Sequence, residues 1–370
     1  MMKVIFYALI VTLFLSCSGN DNPEEIPEES KLVYGGDFSI IKKMEDYGAV
    51  YKVNGVAKNG LQIFKENGYT WARFRIFHTP NNVGPVCNNL NYTIESAKKA
   101  KTLGYKILLD FHYSDTWADP GKQFTPAAWE NLSFQVLTDS VRIYTTKVID
   151  AMQNAGVLPE MVQIGKEINN GMVWPQGKLG PETGGANCQN LTTLIKSGIQ
   201  GVKQAKNSSG IQIMIHAATG GNIQESNTFY SKMNEYGVEF DIIGLSYYPW
   251  WHGTFDQLEA NLDFLSKAFG KDISLVETAY YSNNWYPEPG GWNLDVKPFP
   301  PTEQGQYDYL VELAKRLKNH PKVKSVFYWE PEALDIPESK IFYLGRSLFD
   351  EQGNTFKGIT AWAEKKLFVY

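Results

Sequence analysis

Eight short β-rich runs recur along this chain, and helical patterns fill the gaps between them. The runs are Leu32 to Phe38, Trp71 to Phe77, Lys106 to Phe111, Met161 to Ile164, Ile211 to His216, Phe240 to Ser246, Ile273 to Val276 and Val323 to Tyr328. Such alternation builds parallel strands joined by crossover helices. Leu191, Leu194, Ile195 and Val202 fall on one helical face, as do Leu258, Leu262 and Leu265, and as do Leu310, Leu313, Ala314 and Leu317. A further pattern from Gly358 to Lys366, with Ile359 and Trp362 apolar, predicts the eighth helix. Eight βα units close into a single (β/α)8 TIM barrel, expected over residues 32–370; a doubly wound sheet of this size would carry a Gly-rich phosphate loop, and the sequence has none. The length of 370 residues would allow more than one domain, but no repeat beyond the βα unit and no second domain is evident.

The first 17 residues stand outside that pattern. Lys3 precedes an apolar run from Val4 to Leu15 that ends at Ser16-Cys17. Spanning a bilayer takes about 20 apolar residues, so the run reads as a signal peptide. It resembles a bacterial lipoprotein signal, which implies Cys17 as the lipidated first residue of an exported, membrane-anchored protein at the bacterial cell surface or outer membrane. Phe14 departs from the aliphatic residue usual at the third position before that Cys. Residues 18–31, SGNDNPEEIPEESK, are acidic and nearly free of large apolar side chains, and so predict a flexible linker. Cys87 and Cys188 then remain, both in stretches expected to be loops after strands, where export permits a bridge. No CxxC or Cys/His cluster suggests a zinc site. A formal net charge of -5 leaves no basic footprint for nucleic acid. The 14% aromatic content exceeds what a core of Leu, Ile and Val needs; barrel layers are one use for the surplus, and stacking on sugar rings is another.

Barrels carry their chemistry at the carboxyl ends of the strands. Polar and aromatic clusters fall there: Arg73 and Arg75, Asp110-Phe111-His112, Gly165-Lys166-Glu167, Tyr247-Tyr248, Glu277, and Trp329-Glu330. One strand-end Arg or Glu is usually a structural ion pair. Six clusters at the same end are harder to dismiss.

The segments YGGDFS (Tyr34 to Ser39), WARFRIF (Trp71 to Phe77), LLDFHYSDTWADPGKQ (Leu108 to Gln123), QIGKEINNGMVWP (Gln163 to Pro175), IGLSYYPWWHG (Ile243 to Gly253) and LVETAYY (Leu275 to Tyr281) resemble glycoside hydrolase family 53. This is the family of endo-β-1,4-galactanases, a member of the clan A barrels, and the resemblance covers nearly the whole chain from about residue 33. It implies a retaining endo-hydrolase of β-1,4-galactan, with Glu167 as general acid/base and Glu277 as nucleophile. Retention needs two carboxyl groups roughly 5 to 5.5 Å apart, and strands four and seven face each other across a barrel mouth. By the same resemblance Arg75 would hold the nucleophile ionised, and Tyr247 or Tyr248 would hydrogen-bond it. His112, Asp115 and Trp117 would form a substrate-binding loop, Trp329 would floor the site, and Trp250 and Trp251 would serve a neighbouring subsite.

One position departs from the family. An Asn that would contact the sugar 2-hydroxyl ordinarily precedes the acid/base, and here Lys166 stands in its place. A Lys can donate the same hydrogen bond, but its charge favours ionised Glu167, against what a general acid needs; the bland alternative is that Lys166 points away or pairs with another acidic group. Some bacterial relatives bind calcium after strand seven, yet Ser282 to Thr302 has only Glu288 and Asp295 as carboxylates, so no cofactor is required and a structural calcium is kept only as the lesser alternative. The expected partners are β-1,4-galactan or galacto-oligosaccharides and, through the lipid, a membrane, with the chain a monomer. Two rivals remain: a galactan-binding surface lipoprotein with impaired catalysis, and a clan A endo-glycanase for another β-glycan.

Overall fold

A computed structural model describes residues 32–180, 186–283, 296–341 and 345–363. Eight parallel strands form a closed barrel: β1 (Val33–Asp37), β2 (Tyr69–Ile76), β3 (Lys106–Phe111), β4 (Met161–Ile164), β5 (Gln212–Ala217), β6 (Ile242–Ser246), β7 (Asp272–Thr278) and β8 (Val323–Trp329). Each strand pairs with its neighbours in sequence, and β1 closes on β8, with Asp37 beside Trp329. All eight expected strands are present, with ends shifted by at most two residues.

The major crossover helices are α1 (Leu90–Thr102), α2 (Phe134–Asn154), α3 (Ala186–Gln204), α4 (Ile223–Glu235), α5 (Phe255–Phe269) and α6 (Glu303–Lys318). Their starts are written in the sequence. Ser133 accepts a hydrogen bond from the Val136 amide at the head of α2, and Thr254 and Gln257 form a reciprocal capping box on α5. Leu191, Leu194, Leu258, Leu262, Leu310 and Leu313 are all buried.

Two expectations need correction. The eighth helix is absent among the described residues: Lys357–Thr360 form one 3-10 turn, which drives Trp362 into the core against Tyr34 and Tyr69 and lets its indole N–H donate to the Leu310 carbonyl at 3.1 Å. An amphipathic pattern this short serves as well to plug a core as to wind a helix. Cys188 lies in the first turn of α3 rather than in a loop, and both Cys87 and Cys188 are buried free thiols. The signal segment with Cys17, and the linker through residue 31, lie outside the described residues.

Side-chain alternation sorts the barrel interior into layers. Trp71, Leu108, Met161, Met214, Ile242, Val276 and Phe327 form an apolar plug inside the barrel, separate from the core between strands and helices. Phe327 fits because residue 35 is Gly; a Cβ there would lie 2.4 Å from its ring. Two residues further along β2, β3, β4 and β5 stand Arg73, Asp110, Gln163 and His216, all buried. On β7 the register slips by one residue, so that Leu245 pairs with Leu275 but Ser246 with Glu277. That bulge lets Val276 join the plug while Glu277 also turns to the site, the re-aiming such irregularities provide beside active centres.

Candidate active site

An open cleft of about 1230 Å³ lies over the carboxyl ends of the strands. Lys166, Glu167, Tyr248, Glu277 and Trp329 all line it, as do Trp117, Trp250 and Trp251. Glu167 and Glu277 each present a carboxylate oxygen, and His216 a ring nitrogen, within 4.8 Å of one another. Glu277 lies near the carboxyl end of β7, and Glu167 stands just past β4. Glu167 adopts left-handed backbone angles (φ 50°, ψ 52°), a costly conformation for a residue with a Cβ, kept where the surroundings over-determine it.

The same residue type meets two environments. Glu277 Oε1 lies 2.9 Å from the Arg73 guanidinium, and Oε2 accepts from the Tyr248 hydroxyl at 3.2 Å with the Lys166 ammonium 3.5 Å away. Burial would push its pKa up, but the Lys166 and Arg73 cations outweigh burial and hold it at about 2. Glu167 has its Oε1 against the Ser246 hydroxyl at 2.7 Å and its Oε2 against Lys166 at 2.5 Å. There burial, reinforced by the Glu277 charge, raises the pKa from its usual value against the pull of Lys166 and Ser246. One carboxyl is held firmly ionised by its cations; the other carries its charge against the cost of burial, which Lys166 only partly offsets.

A buried network supports the pair. Arg73 reaches Asp37 and Asp110, each at 2.7 Å, as well as Glu277. Although burial opposes it, Arg73 holds Asp110 well below the usual range. Gln163 completes the frame, its amide donating to Asp110 at 2.6 Å and its carbonyl accepting from Arg73 at 3.2 Å. Glu167, His216 and Glu277 superficially offer a metal's donor set. The Lys166 ammonium already bridges the two carboxylates, and both ring nitrogens of His216 are engaged, so these groups fit a hydrogen-bonded site and not a cation.

Against this geometry stand the comparisons with known proteins. A family model described as glycosyl hydrolase family 53 matches residues 33–369. The chain belongs to glycosyl hydrolase family 53. Its relatives include an uncharacterized protein in the bgaB 5' region of Niallia circulans, 38% identical over 90% of this chain and 94% of that protein. An arabinogalactan endo-beta-1,4-galactanase of Thermothelomyces thermophilus is 32% identical over 90% of this chain and 99% of its own length. Among solved structures, the family 53 catalytic domain of Ignisphaera aggregans superposes with a TM-score of 0.83 at 32% identity, covering 92% of this chain and 97% of that domain. A structure of fungal beta-1,4-galactanases gives 0.80 at 31% identity, covering 90% and 99%. The protein is a glycoside hydrolase.

Set on this family 53 barrel, several expected contacts fall to other residues. The guanidinium against Glu277 is that of Arg73, not Arg75; the two are separated by one residue on β2, share a face, and cannot be told apart by parity. Arg75 instead pairs with Glu330 at 2.9 Å and lies 4.2 Å beneath the ring of Trp117. Tyr248, not Tyr247, meets Glu277, while the Tyr247 hydroxyl turns away to donate to the Gly253 carbonyl at 2.9 Å. Asp115 and His112 do not line the cleft. Asp115 accepts from the amides of Thr79 and Ala127, both at 2.9 Å, and so fastens its loop. His112 is buried, accepts from the Ala118 amide at 3.1 Å and props Trp117. Trp250 is buried against Tyr281, whereas Trp251 is 47% exposed at the cleft wall. Trp329 carries Arg346 over its ring at 4.6 Å.

Lys166 does not point away from the site; it lies between the two carboxylates. Sequence reasoning missed Asp37, Gln163, His216, Ser246 and Arg346. Four of these were findable, because each is a polar residue at the carboxyl end of a barrel strand with the parity of the plug residue before it. Arg346 comes from the loop after β8 and carries no such signal. The stretch expected to be poor in calcium ligands falls largely on residues 284–295, outside the described residues.

Proposed function

We propose that this family 53 hydrolase is an endo-β-1,4-galactanase acting with retention of configuration. The observation that carries the reading is the oppositely biased carboxyl pair in an open, tryptophan-walled cleft. Glu277, kept ionised by Arg73 and Lys166, attacks the anomeric carbon as Glu167 delivers its proton to the departing glycosidic oxygen. Glu167, now a carboxylate, takes a proton from water as that water attacks the glycosyl ester and frees Glu277. The short reach between the two groups suits nucleophilic attack better than an intervening water, which needs about 6.5 to 9.5 Å. The named galactanases of Thermothelomyces thermophilus and Cellvibrio japonicus, 32% and 33% identical, support the choice of substrate.

Product analysis on linear β-1,4-galactan tests the proposal. The expected result is a ladder of oligosaccharides whose newly formed ends are β before mutarotation. Galactan retained without release of reducing ends would favour a binding protein, and preferential cleavage of mannan or xylan would move the substrate. The reading includes export and anchoring through Cys17, supported by the sequence; the native protein should fractionate with membranes and Cys17→Ala with the soluble phase.

A further inference from the structure

Lys166 is buried beside both carboxylates, 2.5 Å from Glu167 Oε2 and 3.5 Å from Glu277 Oε2. The other oxygen of Glu167 is taken as well. His216 Nδ1 faces two N–H donors, the Gln163 amide at 3.1 Å and the Glu167 backbone at 3.3 Å, so its ring proton resides on Nε2. That N–H donates to Ser246 Oγ at 2.9 Å, which leaves the Ser246 hydroxyl hydrogen for Glu167 Oε1 at 2.7 Å. Both oxygens of Glu167 are therefore acceptors, and an ammonium has no lone pair with which to receive a carboxylic O–H. While Lys166 stays, the acid has nowhere to put its proton.

We propose that Lys166 is a positioning residue that latches the empty site as an ion pair across Glu167 and Glu277, and that Glu167 takes up its proton on Oε2 only when a hydroxyl of the bound sugar draws the ammonium away. The step is one protonation: a solvent proton adds to Oε2, and no other bond changes. The inference rests on Glu167 being the general acid. The remaining groups around it hold their charge. Burial keeps His216 neutral, with a pKa lowered to about 3, and lowers that of His112. Burial likewise takes His252, across the cleft, down to about 4. Arg73 is pinned by Asp37 and Asp110, and the Tyr248 hydroxyl is pushed well above its usual range by burial. The charge that can move is Lys166.

The test separates the free enzyme from the complex. The pH dependence of kcat/KM reports the free enzyme and that of kcat the bound one. In the wild type the alkaline limb of kcat should lie above that of kcat/KM by about one pH unit or more, the scale on which an adjacent cation acts. Lys166→Met should raise the kcat/KM limb to meet the other, and Lys166→Arg should preserve the gap. Coincident limbs in the wild type, or a gap that survives Lys166→Met, would overturn the latch. Carbon-13 titration of Glu167 in the sugar-free protein needs no turnover: its pKa should rise in Lys166→Met, and an unmoved value refutes the latch even if galactan is cleaved. A raised value in a protein that fails to cleave galactan would support the latch and count against the galactanase reading alone.

Discussion

The β7 side of the site and the β4 side hold the same chemical group and treat it oppositely. Around Glu277 the bulge delivers the carboxylate to a fixed guanidinium and a phenol, and around Glu167 a hydroxyl, a neutral imidazole and one flexible ammonium do the work. Burial is common to both, so burial alone does not assign the roles. What differs is that Glu277 has a rigid cation in addition to Lys166, whereas Glu167 has Lys166 alone. Arg73 is held by three carboxylates and cannot leave, whereas Lys166 has a four-carbon stem and can.

The comparison predicts, as its largest effect, that the two glutamates fail differently. Glu277→Ala should abolish turnover on every substrate. Glu167→Ala should lose about 10²- to 10⁴-fold on galactan but far less on aryl galactosides, whose leaving groups need little protonation. Equal losses on good and poor leaving groups would break the assignment.

The next effect concerns the rigid cation. Arg73→Met leaves Asp37, Asp110 and Glu277 buried without their partner and should cost about 3 to 5 kcal/mol in denaturant unfolding. In protein that folds, the Glu277 pKa rises, so the acid limb of kcat/KM moves to higher pH, since activity is lost as pH falls through that pKa. Arg75→Met should leave the acid limb in place while loosening Trp117. If the two variants shift the limb alike, the guanidinium has been assigned to the wrong residue.

Ser246→Ala should act more gently, because it removes one of the groups that favour ionised Glu167. The alkaline limb should rise by a fraction of a pH unit, with about 1 to 3 kcal/mol lost from stability as the His216 N–H is left unpaired. A lowered limb would contradict the proton placement. The smallest effect belongs to Trp251→Ala, whose ring is half in solvent: stability should stay within about 0.5 kcal/mol, and a rise in KM for galactan over that for a short aryl galactoside would mark it as a subsite wall.

Much of this site could be read in the sequence, because a barrel converts strand order into place. Once eight runs are recognised, the residues ending β4 and β7 are brought to one mouth of the barrel, and the family resemblance singles out Glu167 and Glu277 among them. Failures came where alternation gives no choice. Arg73 and Arg75 have the same parity, and so the one that reaches Glu277 depends on height within the barrel. Tyr247 and Tyr248 differ in parity but stand just past β6, where the chain turns and parity lapses. Asp115, expected in a substrate-binding loop from the resemblance, meets backbone amides with both oxygens, a loop contact that strand order does not reveal. The helix expected at Gly358 failed for a related reason, since one buried Trp satisfies the pattern that would otherwise mark an amphipathic turn.

The apolar plug beneath Arg73 has a consequence for traffic. Trp71, Met161, Met214 and Phe327 fill the barrel from below, so the carboxylates are approached from the cleft side. The water that completes each turnover then arrives on the same side as that on which the cleaved saccharide leaves. A saccharide that lingers in the cleft then competes with water for the glycosyl ester, as one hydroxyl against another.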